Sequence, residues 1–135
     1  MSLEANKELV RRFYAEAITG RDPGAVDRLV TEDFVHNGEQ RGRDGQREGV
    51  EYFLRAFPGL RHEIEFMLAE GDLVTARQTW DGIQDAEFLG VAPTGKRVRF
   101  TSTAILRVRD GMIAEAWDEV DFLAVLGQLG ALPAP

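Results

Sequence analysis

Ala114-Glu115-Ala116-Trp117-Asp118-Glu119-Val120-Asp121-Phe122-Leu123 reads as the end of a strand running into the start of a helix. Apolar residues lead up to Asp118, and Asp121 stands where its side chain can accept from the N–H of Leu123 or Ala124 and cap the helix. A carboxylate at the end of an apolar strand is costly to bury unless it is paired or used. Asp118 is therefore the first candidate for a reactive group in a small-molecule pocket. The competing interpretation has Asp118 capping the last helix or pairing with an arginine, and the residues alone leave both open.

The face that Asp118 occupies depends on the turn before it, Arg109-Asp110-Gly111. A two-residue Asp-Gly loop pairs Val108, Leu106 and Ala104 with Ile113, Glu115 and Trp117. A three-residue loop, with Gly111 left-handed, pairs them instead with Met112, Ala114 and Ala116 and sets Ser102 against Asp118. The second register gathers Val98, Phe100, Leu106, Val108 and Met112 on one face and sends Arg99, Arg107, Arg109 and Glu115 to the other, so it is the one expected. Ala104, Ala114 and Ala116 then leave space on the apolar face, with Ser102 and Asp118 as its polar end. Partial burial there would make the carboxylate a stronger base. Trp117 turns to the opposite face, where core or interface packing suits it.

Outward from this hairpin, the chain reads as helices first and strands later, which implies an α+β fold. Leu9, Val10, Phe13, Tyr14, Ala17 and Ile18 recur at helical spacing up to Gly20, and core packing is the expected role of Phe13 and Tyr14. Asp22-Pro23 restarts a helix, with Asp as cap and Pro at its first position. Phe34-Val35-His36 is a short extended piece, and Gln40 to Gln46 a loop. A third helix, capped by Asp44, carries Val50, Phe53, Leu54 and Phe57 and stops before Pro58. From Leu60 the period becomes two: Ile64, Phe66 and Leu68 share one face, and Val74, Ala76, Gln78 and Trp80 share another. Long strands are expected over Leu73 to Trp80, Arg97 to Val108 and Met112 to Asp118. Phe88-Leu89-Gly90-Val91-Ala92-Pro93-Thr94-Gly95 is an apolar loop suited to a pocket rim, and the Pro-rich tail after Gly130 is expected to fray.

Bulk properties narrow the function. The 135 residues suit a single domain over 1–135. A net charge of −7 with scattered arginines argues against nucleic acid as a partner. No cysteine means no disulfide and no thiolate chemistry. No apolar run is long enough for a membrane span and no secretory leader is visible, so the expected location is cytoplasmic. His36 and His62 are too few for a histidine-rich metal site, and no carboxylate spacing resembles a hard-cation loop; no metal is expected.

The Phe34-Val35-His36 piece, the 88–95 loop, the Asp110-Gly111 hairpin and Trp117-Asp118-x-x-Asp121 leading to Gln128-Leu129-Gly130 together resemble the SnoaL-like polyketide cyclases of the nuclear-transport-factor-2-like superfamily. The resemblance spans nearly the whole chain. It implies a cone: a curved antiparallel sheet around N-terminal helices, a C-terminal helix, a pocket in the mouth and a homodimer. It also implies cofactor-independent chemistry. In the cyclases an aspartate at the end of the last strand takes a proton from a carbon beside carbonyls, and the carbanion closes a ring by aldol addition. That aspartate matches Asp118. The cyclases' histidine on the penultimate strand is matched by Ala104, a neighbouring glutamine by Ser102, and a further pocket histidine by Gln84.

The expected site is thus Asp118 as general base, with His36, Trp80, Gln84 and Ser102 binding a small or medium apolar carbonyl compound. His36 follows a strand at the expected mouth, and Trp80 could face a flat ligand. His62 is expected on the surface, as are Arg41, Arg43 and Arg47. Three functions remain in view: a cyclase, an isomerase, dehydratase or epoxide hydrolase in the same pocket, and a non-catalytic ligand-binding dimer.

Overall fold

Helical periodicity gives way to strand alternation near Leu60, and the molecule divides at the same place. The structure, a computed structural model, describes residues 2–132. Three helices, α1 (Leu3–Phe13), α2 (Ala25–Leu29) and α3 (Gly42–Ala56), and two short strands, β1 (Val30–His36) and β2 (Glu39–Gln40), come first. Four longer strands follow: β3 (Arg61–Glu70), β4 (Leu73–Ile83), β5 (Arg97–Arg109) and β6 (Met112–Val120), then α4 (Phe122–Gln128). One curved, unclosed sheet results, in the order β2-β1-β6-β5-β4-β3. Its pairs are antiparallel except β1 with β6, which run parallel. The chain is α+β, as its pattern implies. No helix among the described residues is long and apolar enough to cross a membrane.

α1 packs on β3 and β4, and α3 on β1. Val10, Phe13, Phe34, Phe57, Val74, Val98 and Val125 lie between these layers, nearly or fully buried. Each such side chain contributes about 1.5–3 kcal/mol of transfer free energy. The first helix does not stop at Phe13: it continues as a wider π-helical stretch, Tyr14–Thr19. Gly20 ends it for a steric reason. A Cβ there would stand 2.7 Å from the carbonyl oxygen of Glu16. Asp22 caps a turn rather than the helix proper, its Oδ1 accepting from Gly24 N at 3.0 Å, so α2 begins two residues after Pro23. The segment expected as a loop, Gln40 to Gln46, instead holds the end of β2 and the first turn of α3, so Asp44 lies inside that helix rather than capping it. Asn37 (φ +48°) and Gly38 (φ +81°) form a tight turn that pairs His36 with Glu39.

Two bulges revise the strand faces. Between Ile64 and Phe66 the β3–β4 register shifts, so Ile64 faces the core while Phe66 (54% exposed) and Leu68 (63%) face out. The last hairpin has the two-residue loop, not the three-residue one. Asp110 (φ +52°) and Gly111 (φ +74°) form the turn, and Arg109 pairs with Met112. A shift between Arg107 and Val108 then lets Val108 pair with Ile113 and Arg107 with Glu115, leaving Ala114 as the extra residue. Beyond it Leu106 meets Ala116, Ala104 meets Asp118 and Ser102 meets Val120. Asp118 therefore does lie on the apolar face, but opposite Ala104 rather than Ser102. Trp117 lies on the other face, beside Ile105 and under the Arg107 guanidinium, whose carbon is 5.6 Å from the ring centroid.

Asp121 caps α4, its Oδ1 accepting from Ala124 N at 3.0 Å. Val125 on α4 and Leu129 just after it are buried, while Leu123 is exposed. The last three residues of the Pro-rich tail lie outside the described residues.

Candidate active site

The parallel pairing of β1 with β6 sets His36 beside Ala116, one step along the same face from Asp118. As a result His36 Nε2 lies 2.8 Å from Asp118 Oδ2. Both side chains are mostly buried, at 15% and 25% exposure. The imidazole donates to one carboxylate oxygen, and the other has no hydrogen-bond partner among the described residues. Next to it, Asn37 clamps the strand end. Its Oδ1 accepts from Asp118 N at 2.8 Å, its Nδ2 donates to Asp118 O at 3.4 Å, and its own N donates to Ala116 O at 2.9 Å. The left-handed backbone that Asn37 adopts is one that asparagine tolerates better than most residues. The clamp fixes the backbone that carries Asp118.

Above this pair opens a cavity of about 480 Å³. Phe53, Trp80, Phe88, Phe100 and Phe122 contribute aromatic walls, and His36, Ser102, Tyr14 and Asp118 supply polar groups. Trp80 and Phe100 lie with their planes 6° apart, and Phe53 meets Trp80 edge-on at 5.3 Å. Such walls suit a flat, largely apolar ligand. Trp80 Nε1 donates to Ser102 Oγ at 2.8 Å, so these two expected site residues are partners. The indole N–H is thereby satisfied, and Ser102 keeps its own proton for the cavity.

Gln84 is placed elsewhere. Its fully buried side chain is spent on the loop that follows it. Nε2 donates to Ala86 O (3.1 Å) and Val91 O (2.9 Å), and Oε1 accepts from Thr94 N (3.0 Å) and Thr94 Oγ1 (2.7 Å). Gln84 does not line the cavity; it holds the loop whose Phe88 and Leu89 do.

Two residues expected in bland roles take part. Tyr14, only 7% exposed, lines the cavity. Burial, and then the charge of Asp118, pushes its phenol far above the ordinary tyrosine range, so it keeps its proton. His62 is not on the surface. It stacks on Tyr14 (centroids 4.8 Å apart) and tilts against Trp80 (4.3 Å), and it bonds through Nε2 to Gln78 Oε1. Burial holds its imidazole below the usual value. Gln78, fully buried, passes the chain on: its Nε2 donates to the Tyr14 oxygen at 3.3 Å. That oxygen is thus an acceptor within the protein, and its own hydrogen is left to point into the cavity. The alternation that puts Gln78 on the face of Trp80 was a signal for this network; the inward turn of His62 had none in its charged neighbours Arg61 and Glu63.

The family model for SnoaL-like polyketide cyclases matches residues 8–129 of the chain. Aklanonic acid methyl ester cyclase DauD of Streptomyces sp. (strain C5) is 28% identical over 129 residues, covering 91% of this chain and 80% of that one. Among solved structures, TsrD from Streptomyces laurentii superposes with a TM-score of 0.89 at 29% identity, covering 98% of this chain and 99% of its own. AclR from Streptomyces galilaeus, a candidate hydroxylase, does so with a TM-score of 0.85 at 31% identity, over 98% and 100%.

Proposed function

The chain belongs to the SnoaL-like polyketide cyclase family, and from that premise we propose that it is a cyclase-like enzyme in which Asp118 is the general base acting on a carbonyl compound. The observation that carries this reading is the Asp118–His36 pair, 2.8 Å apart beneath an aromatic cavity of about 480 Å³. Asp118 takes a proton from a carbon beside a carbonyl through its free oxygen, while His36 holds the other oxygen and steadies the carboxylate's orientation. The negative charge moves to the carbonyl oxygen, where the Tyr14 and Ser102 hydroxyls can donate. The enolate carbon then forms a bond to a second carbonyl carbon of the same molecule. The resulting alkoxide takes back the proton from Asp118, so nothing is consumed and no cofactor is needed. The histidine that the penultimate strand lacks at Ala104 is replaced, in this reading, by one from the other neighbouring strand.

The test follows proton abstraction rather than one product. The protein is incubated in D2O with aklanonic acid methyl ester, the compound for which DauD is named, and with the corresponding free acid. Mass spectrometry then reads deuterium at the carbon beside the carbonyl and any isomer formed. Incorporation that is lost in Asp118→Asn, with the variant still folded, supports the base. An unchanged rate in Asp118→Asn ends the proposal, and binding without exchange in the wild type points to the ligand-binding alternative.

A further inference from the structure

Arg41 lines the cavity, and among the described residues it is the only arginine or lysine to do so. Its neighbours in the same basic stretch are engaged elsewhere. Arg43 donates to Val30 O at 2.8 Å, and Arg47 pairs with Asp27 and Asp44. Arg41 has no ion pair within 4.0 Å among the described residues. Glu39 also lines the exposed mouth; its carbonyl oxygen accepts from Arg41 N at 2.9 Å, but its carboxylate makes no ion pair with Arg41 within 4.0 Å.

The path of the Arg41 side chain is cut into α3. A Cβ on Gly45 would stand 2.2 Å from Arg41 Cγ, and one on Gly49 would stand 3.3 Å from Arg41 Nη1. Neither glycine has a positive φ, so no backbone demand explains them. Glycine weakens a helix interior, yet these two stand four residues apart on one face, under the arginine stem and guanidinium. Gly49 itself lines the cavity, which places the Nη1 end of Arg41 at the cavity wall. Arg41 is exposed at the cavity mouth, and a guanidinium there without a carboxylate partner has donors to spare for a planar anionic group.

We infer that Arg41 receives a carboxylate of the bound carbonyl compound, so that the cavity selects acids over their esters. The inference rests on the proposed function for the cavity's role, but not on Asp118 being a base. An anionic end held at Arg41, just before α3, would orient the rest of the ligand toward the Asp118–His36 floor.

The probes are a fluorenone carboxylate and its methyl ester, two flat aromatic ketones differing in one charge. Affinities are measured by isothermal titration calorimetry at low ionic strength and pH 7.5. The acid is expected to bind about tenfold more tightly than the ester. That ratio should shrink in high salt, fall to about one in Arg41→Gln, and persist partly in Arg41→Lys. Gly45→Ala, which displaces the arginine stem, should lower the ratio without lowering Tm. Asp118→Asn should keep or raise the ratio, whatever it does to deuterium exchange, so the two readings fail separately. An acid-to-ester ratio near one in the wild type, or an unchanged ratio in Arg41→Gln, overturns the assignment.

Discussion

Replacing Gln84 with leucine is expected to unfasten the loop over the cavity while leaving the Asp118–His36 floor in place. The side-chain amide makes four hydrogen bonds in a fully buried position, to Ala86, Val91 and, twice, Thr94. Leucine has about the same size and makes none of them. Each lost bond costs about 1 kcal/mol net, with the two carbonyls and the Thr94 N–H left to find water. Thr94 Oγ1 is the exception, since it already accepts from Lys96 N at 3.1 Å and can rotate to suit. The sum is about 3 kcal/mol. Unfolding entropy of about 2 cal/mol/K per residue, over 135 residues, converts this to a fall in Tm of about 10 °C. Circular dichroism melting reads the fall, and hydrogen-exchange mass spectrometry should show faster exchange confined to the segment after residue 84. Ligand affinity should drop modestly, through mobility of Phe88, which now packs against Phe53 and Phe57 at 5.5 and 5.0 Å. A variant with unchanged Tm and a large loss of affinity would refute the reasoning, because it would mean that the amide faces the ligand.

Acid should weaken the fold through His62. Burial lowers its folded value below the ordinary one, so the unfolded chain takes up a proton near pH 6.5 while the folded chain still refuses it. Stability is therefore full above that pH and declines as pH falls below it. His62→Gln should flatten the decline between about pH 7 and pH 5, read from urea midpoints; parallel curves for the two proteins would count against it. The carboxylates held below their usual values by arginine partners, such as Asp22 beside Arg28 and Asp81 beside Arg97, act only in stronger acid and do not confuse this window. Tyr14→Phe should slow deuterium exchange by about 10- to 100-fold; the ring packing survives, but the buried Gln78 amide loses its acceptor, so Tm should fall by about 5 °C. A variant of unchanged rate would remove Tyr14 from the chemistry.

The parts of this fold that local chemistry encodes were legible in the sequence. Helical spacing over Leu9 to Ile18, the stop before Pro58, the shared face of Val74, Ala76, Gln78 and Trp80, and the Asp121 cap each depend on a few neighbouring residues. What stayed hidden depends on contacts far along the chain. His36 and Asp118 lie 82 positions apart and meet only because β1 and β6 run parallel, a pairing that no short pattern announces. His62 sits between two charged residues and still faces inward, because strand alternation outranks the character of its neighbours.

The last hairpin carries the sharpest lesson, because its expected register was off by two residues, one from the turn and one from the bulge, and so kept Asp118 on the expected face. Asp-Gly favours a two-residue turn with positive φ at both positions, and the chain obeys that local preference. A two-residue turn by itself would have placed Glu115 among the apolar residues, which is why the longer loop looked preferable. The bulge at Ala114 resolves the conflict instead: Ile113 and Ala114 are both buried, and Glu115 returns to the outer face to meet Arg107 at 3.4 Å. Lengthening the turn and inserting a bulge each shift the register by one residue, so either puts Asp118 on the apolar face. They differ in its partner. The bulge moves Asp118 from Ser102 to Ala104, whose small side chain leaves the carboxylate room beside it. Two adjacent apolar residues after a tight turn, followed by an acid opposite an arginine, are thus the signal that marks the bulge.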